Sequence, residues 1–239
     1  MATPSKIQPI PAGSASGFLG RILRCVGFDP AALADVWILG KPRITFLVTV
    51  SCWIGFYMAS PSPIDWGLAG WTSLATALVA FGASTLNQFM EPDVDSKMRR
   101  TSLRPIPSGR VSRRQAMASG LATTLVGLAL FMSKINGAAA FIALMTSASY
   151  LLMYTPLKRH SSLCTIVGAI PGALPPVIGW VAAGQLDARG AWILFAILFL
   201  WQLPHFLAIA WLYHDDYRNA GLPMLTVIDA AWDDAAIDA

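Results

Sequence analysis

Residues 78–110 read LVAFGASTLNQFMEPDVDSKMRRTSLRPIPSGR and pass from an apolar run straight into acids, a proline and a series of arginines. Asn87, Glu91 and Asp95 recur at every fourth position, so a helix places one amide and two carboxylates along a single stripe. Carboxylates at the edge of a hydrocarbon core are costly there and most often hold a cation, a proton or a partner. Pro92 has no amide hydrogen, so the carbonyl of Gln88 loses its helical donor, and the helix is expected to end or kink among the acids. Broken backbone at membrane depth is tolerated where it lines a polar cavity or is buried in protein. Lys97, Arg99, Arg100, Arg104, Arg110, Arg113 and Arg114 follow at once. Oxygen ligands beside forked guanidinium donors are what a magnesium-bound diphosphate needs. Asp93 points to a different face and is the weaker ligand candidate. A solvated helix end with ordinary interfacial arginines is the plainer alternative.

The rest of the chain supplies the setting. Charged residues make up 13% of the 239 positions and the mean hydropathy is +0.56, against roughly 25% charged residues in soluble domains. The fold class is therefore an all-α polytopic membrane protein. Six apolar stretches, 44–60, 66–87, 116–131, 137–154, 163–183 and 191–213, approach or exceed the ~20 residues that cross a bilayer core. Fifteen of the seventeen basic residues fall on one side of these spans, leaving Lys134 and Arg189 on the other. The positive-inside rule then puts both termini and the long loops in the cytoplasm, with a bacterial inner membrane as the expected location. The net charge of +4 is a topology signal; without an aromatic-interleaved basic module, no nucleic-acid partner is expected. Cys25, Cys52 and Cys164 form no C-x-x-C pair and imply neither a disulfide framework nor zinc. Residues 1–35 read as a disordered cytoplasmic arm, 36–225 as the membrane domain and 226–239 as an acidic, solvated tail.

A second polar cluster recurs four spans later. WQLPHFLAIAWLYHDDYRNAGLPML, residues 201–225, again places acids (Asp215, Asp216), a tyrosine (Tyr217) and an arginine (Arg218) at a cytoplasmic helix end. Such a weak internal repeat fits two half-sites facing one cavity. Pro204 is expected to kink this span beside His205, an intramembrane histidine that reads equally as a packed residue or a ligand. Tyr154, Lys158 and Arg159 form a third cluster, with an interfacial anchor as the alternative. In the fifth span Gly168 and Gly172 have GxxxG spacing, and Pro171, Pro175 and Pro176 disturb the hydrogen-bond ladder.

Taken together, KPRIT (41–45), NQFMEPDVDSKMRRTSLRPIPSGR (87–110), YTPLKR (154–159), GAIPGALPPVIGW (168–180), WQLPHF (201–206) and LYHDDYRNAGLPML (212–225) resemble the UbiA superfamily of intramembrane prenyltransferases. Within it they are most similar to the branch that farnesylates heme. The resemblance implies condensation of farnesyl diphosphate with a vinyl group of heme b, giving heme o, with Mg2+ as cofactor and the lipid bilayer as the setting. It implies Asn87, Glu91 and Asp95 as the metal and catalytic motif, and Asp215 and Asp216 as a second catalytic cluster. Arg100, Arg104, Lys158 and Arg218 are the implied diphosphate contacts, and His205 and Tyr154 the candidates to face heme. Heme A synthase and oxidase assembly factors are the implied protein partners. The family's fold has nine transmembrane helices and this sequence provides six, so the resemblance supports membership more directly than activity. A prenyltransferase acting on a quinone precursor, a membrane transporter and an inactive fragment are the competing readings. The first would carry a second aspartate-rich motif, and the second would not need arginines beside the acids.

Overall fold

A computed structural model describes residues 30–185 and 189–228, and these form an all-helical bundle. Its elements are α1 (Pro30–Leu39), α2 (Pro42–Ala59), α3 (Trp66–Met90), α4 (Pro92–Asp95), α5 (Arg113–Ile135), α6 (Gly137–Leu157), α7 (Cys164–Ala173), α8 (Pro175–Ala182), α9 (Arg189–Leu212), α10 (His214–Asn219) and α11 (Leu225–Ile228). Among the described residues six helices are long and apolar enough to cross a membrane: α2, α3, α5, α6, the α7–α8 pair and α9. Each lies within a few residues of a stretch expected from hydropathy.

Local chemistry fixes where the spans begin. Pro42 occupies the first turn of α2, where a missing amide hydrogen costs nothing, and Lys41 before it turns the chain from α1 with φ 49°. Asp65 caps α3 by accepting from the Leu68 amide at 2.9 Å. Ser112 and Gln115 form a reciprocal capping box on α5, and Asn136 accepts from the Ala139 amide at 2.8 Å to start α6. The fifth span breaks at Leu174, between Pro171 and the Pro175–Pro176 pair, as its prolines require. In contrast, α9 runs continuously through Pro204, so that proline removes one bond without ending the helix.

Small residues bring the spans together. A Cβ built on Gly82 of α3 would lie 2.7 Å from the Gly120 carbonyl oxygen of α5, and one on Gly127 would lie 2.9 Å from the Ala75 carbonyl oxygen. Gly55 of α2 and Gly179 of α8 meet each other's helices just as closely. With lipid as apolar as leucine, close backbone approach is what association in a bilayer depends on. Cys52, Phe56, Val79, Phe131 and Ile178 fill the center of this packing. Most of α9 faces outward, with Ile193, Ile197, Leu200 and Trp201 exposed, as a lipid-facing helix should be.

At the end of the bundle that carries the acids, a second apolar cluster joins α4, α7, α10 and the approach to α11, through Val94, Met98, Cys164, Tyr217, Leu222 and Met224. It forms a small cap beside the acids. Helix α1 begins at Pro30, inside the stretch expected to be an arm; residues 1–29 and 229–239, which hold the rest of that arm and most of the acidic tail, lie outside the described residues.

Candidate active site

The break at Pro92 leaves the stripe intact. Helix α3 ends with Glu91 at its C-cap and α4 starts with Pro92, as the missing amide hydrogen predicts. Yet the Glu91 amide still donates to the Asn87 carbonyl at 3.1 Å, and the Asp95 amide to the Glu91 carbonyl at 2.9 Å. Helical pitch therefore continues across the junction, and Asn87, Glu91 and Asp95 stay buried, at 3%, 2% and 2% exposure.

Charges this deep must be paired. Lys158, one turn beyond Tyr154, places its Nζ 3.2 and 3.3 Å from the two Glu91 carboxylate oxygens. Arg104 donates from one terminal nitrogen to both Asp95 oxygens at 2.8 Å. Asn87 joins the two sides: its Nδ2 donates to Glu91 Oε2 at 2.9 Å and to Thr155 Oγ1 at 3.1 Å, while its Oδ1 accepts from Lys41 Nζ at 3.1 Å. Thr155 in turn donates to the Tyr150 carbonyl at 2.8 Å, within the stretch where α6 widens to a π-helix, Ser149–Tyr154. That widening carries Thr155 and Lys158 to α3; π-turns of this kind frequently mark functional sites.

Lys41 and Thr155 were not among the candidates named from sequence. Lys41 stood in the KPRIT block but served there as a topology residue, and its partner lies 46 positions away. Thr155 gives no signal beyond its place in YTPLKR. Burial, reinforced by the nearby Arg104 and Lys158 charges, pulls the Lys41 ammonium down to about 7. Three basic side chains thus share the site with two carboxylates.

The remaining candidates separate. Asp216 is buried, but its oxygens accept from the Arg99 and Arg100 backbone amides at 3.1 and 3.2 Å. The side chain of Asp215 is 94% exposed, with the His214 ring 3.5 Å away. Arg100 lays its guanidinium over the Tyr213 ring, 4.5 Å from the centroid, and Arg218 is exposed on α10. Tyr154 stacks on Tyr150 with ring centroids 5.5 Å apart and packs against the bare face of Gly168. His205 is exposed on α9 and stacks on Trp201 at 4.8 Å. It sits among outward-facing residues of α9, away along the helix from the polar cluster on α10.

Among the described residues, no three His, Cys, Asp or Glu side chains gather as in an all-protein metal cage. Magnesium does not call for one: it binds through one or two carboxylates together with substrate phosphate and water. Glu91, Asp95 and the Asn87 carbonyl oxygen are hard donors of that type. The surrounding ammonium and guanidinium groups can turn from carboxylate to phosphate oxygens, so the donor set fits a magnesium diphosphate.

Residues 48–236 match the UbiA prenyltransferase family. A protoheme IX farnesyltransferase from Solibacter usitatus is 46% identical over 206 residues, covering 82% of this chain and 70% of that protein. One from Anaeromyxobacter dehalogenans is 42% identical over 199 residues, covering 83% and 67%. The chain thus spans about two thirds of the length of these relatives. Among solved structures, a digeranylgeranylglyceryl phosphate synthase shares the fold at a TM-score of 0.69 and 18% identity, covering 82% of this chain and 68% of that one. A UbiA homolog from Archaeoglobus fulgidus bound to GPP and Mg2+ does so at 0.64 and 19%, covering 79% and 66%.

Proposed function

The chain belongs to the UbiA prenyltransferase family, and from that premise we propose that it transfers a farnesyl group from farnesyl diphosphate to a vinyl group of heme b. The observation that carries this reading is the buried site itself: two carboxylates and an amide oxygen held among Lys41, Arg104 and Lys158, a surplus of positive charge that a diphosphate would match. The similarity to proteins named protoheme IX farnesyltransferase supplies the acceptor and the prenyl length.

In this mechanism Glu91, Asp95 and Asn87 would hold magnesium, whose charge would offset that of the diphosphate leaving group. Lys41, Lys158 and Arg104 take the phosphate oxygens, and their charges stabilise the leaving group as the allylic C–O bond breaks with its electron pair. The apolar bundle shields the allylic cation from water. The vinyl π electrons of heme form the new C–C bond, and water adds to the resulting heme-stabilised cation with loss of a proton. The basic side of the bundle faces the cytoplasm of a bacterial cell in this reading, and the amphipathic substrates reach the site from the inner membrane.

The test is to incubate the chain, reconstituted in nanodiscs, with heme b, farnesyl diphosphate and magnesium, and to search for heme o by mass. Product from the native chain and none from Glu91→Ala supports the reading. Near-normal product from Glu91→Ala defeats the residue assignment, and ion flux without product favors a transporter.

A further inference from the structure

We infer that Asp216 is a positioning residue, a two-pronged latch that holds the arginine loop after α4 against α10, and not a ligand of the metal or the diphosphate. Its side chain spends one oxygen on each of two successive backbone amides: Oδ1 accepts from Arg99 at 3.1 Å and Oδ2 from Arg100 at 3.2 Å. Consecutive N–H groups aimed at one carboxylate form an anion-binding concavity made of main chain. Here the anion is supplied from 116 positions further along the sequence.

The surroundings fit a latch. Asp216 is 7% exposed, beside a cluster in which Met98, Val94, Tyr217 and Leu222 are buried together. Arg100, held at its backbone, stacks its guanidinium over Tyr213 on the same side of the junction. Arg104, a few residues on, chelates Asp95. The stretch from Arg99 to Arg104 is therefore pinned at Asp216 through its main chain and at Asp95 through the Arg104 guanidinium and the Thr101 hydroxyl, which donates to the Asp95 carbonyl at 2.8 Å. Releasing the first pin frees the segment that presents Arg100 and Arg104 to the site.

This inference concerns what holds the loop, and its first readout is the same whatever the site binds. Hydrogen exchange measured by mass spectrometry on the full chain in micelles should find the Arg99 and Arg100 amides slow in the native protein. They should be at least tenfold faster in Asp216→Ala, intermediate in Asp216→Asn, which keeps one carbonyl acceptor, and unchanged in Asp215→Asn. Trypsin cleavage after Arg99 and Arg100 should accelerate in the same order, giving a second readout if one variant folds poorly. Equal exchange in native and Asp216→Ala protein overturns the latch.

Titration with magnesium and inorganic pyrophosphate separates positioning from ligation. In Asp216→Asn the latch predicts weaker pyrophosphate binding, with the magnesium midpoint at saturating pyrophosphate held within twofold. A magnesium midpoint shifted tenfold or more, with the loop amides still slow, would make Asp216 a metal ligand and refute the inference.

Discussion

Replacing Lys158 with Met removes the cation that faces Glu91 while keeping most of the side-chain volume. Glu91 is 2% exposed and Lys158 14%, with the ammonium 3.2 Å from the nearer carboxylate oxygen, so the pair is shielded from bulk water. Deleting one partner of a buried ion pair costs about 3–5 kcal/mol, because the other charge is left uncompensated. The lower end applies here, since Asn87 still donates to Glu91 at 2.9 Å. About 3 kcal/mol corresponds to a loss of roughly a hundredfold in the folding equilibrium. Reversible unfolding in mixed micelles, followed by tryptophan fluorescence in the presence of a chelator, reads this directly. The double variant Lys158→Met/Glu91→Gln, which removes both charges, should recover to within about 1 kcal/mol of the native protein, because the penalty arises from the orphaned charge. A loss below 1 kcal/mol in the single variant, or no recovery in the double, would refute the reasoning.

Other consequences are more local. Gly82→Ala forces a Cβ to within 2.7 Å of the Gly120 carbonyl oxygen and 2.8 Å of Thr123 Oγ1, so α3 and α5 must separate, at a cost of about 1–3 kcal/mol in the same unfolding assay. Arg110→Ala breaks the 2.9 Å pair with Asp35, but Arg110 is 44% exposed and solvent screening limits the loss to below about 1 kcal/mol. Burial brings Lys41 down to about 7 in the folded state from the 10.5 usual for lysine, so the unfolded chain binds more protons between those values. In chelator, stability should therefore rise with pH across that window, and the rise attributable to this group should vanish in Lys41→Met.

Much of the architecture was legible because bilayer physics leaves a coarse record. A run of apolar residues must be about a membrane thick, and basic residues must gather on one side. The break at Pro92 follows from a single missing amide hydrogen, and the interruption at Leu174 from the three prolines around it. Asn87, Glu91 and Asp95 were legible because their spacing matches the helical repeat, and that repeat persists through the break.

Contacts between distant segments left less trace. Lys41 reaches Asn87 from the junction of α1 and α2, where its own backbone is left-handed, a conformation its sequence does not advertise. Asp216 stood in the sequence as part of a second catalytic cluster; its hydrogen-bond donors here are backbone amides, which have no side-chain signature to read. His205 looked functional beside Pro204, yet α9 is continuous there and the ring lies on its exposed face against Trp201. Proximity to a proline does not say which way a helix face points.

The central claim is that the buried stripe and its cations form a magnesium diphosphate site. Calorimetric titration of inorganic pyrophosphate into the purified chain, with and without magnesium, tests it most directly. The account predicts saturable binding that strengthens with magnesium and is lost in both Glu91→Ala and Asp95→Ala. Native-like, magnesium-independent binding in those variants would contradict it.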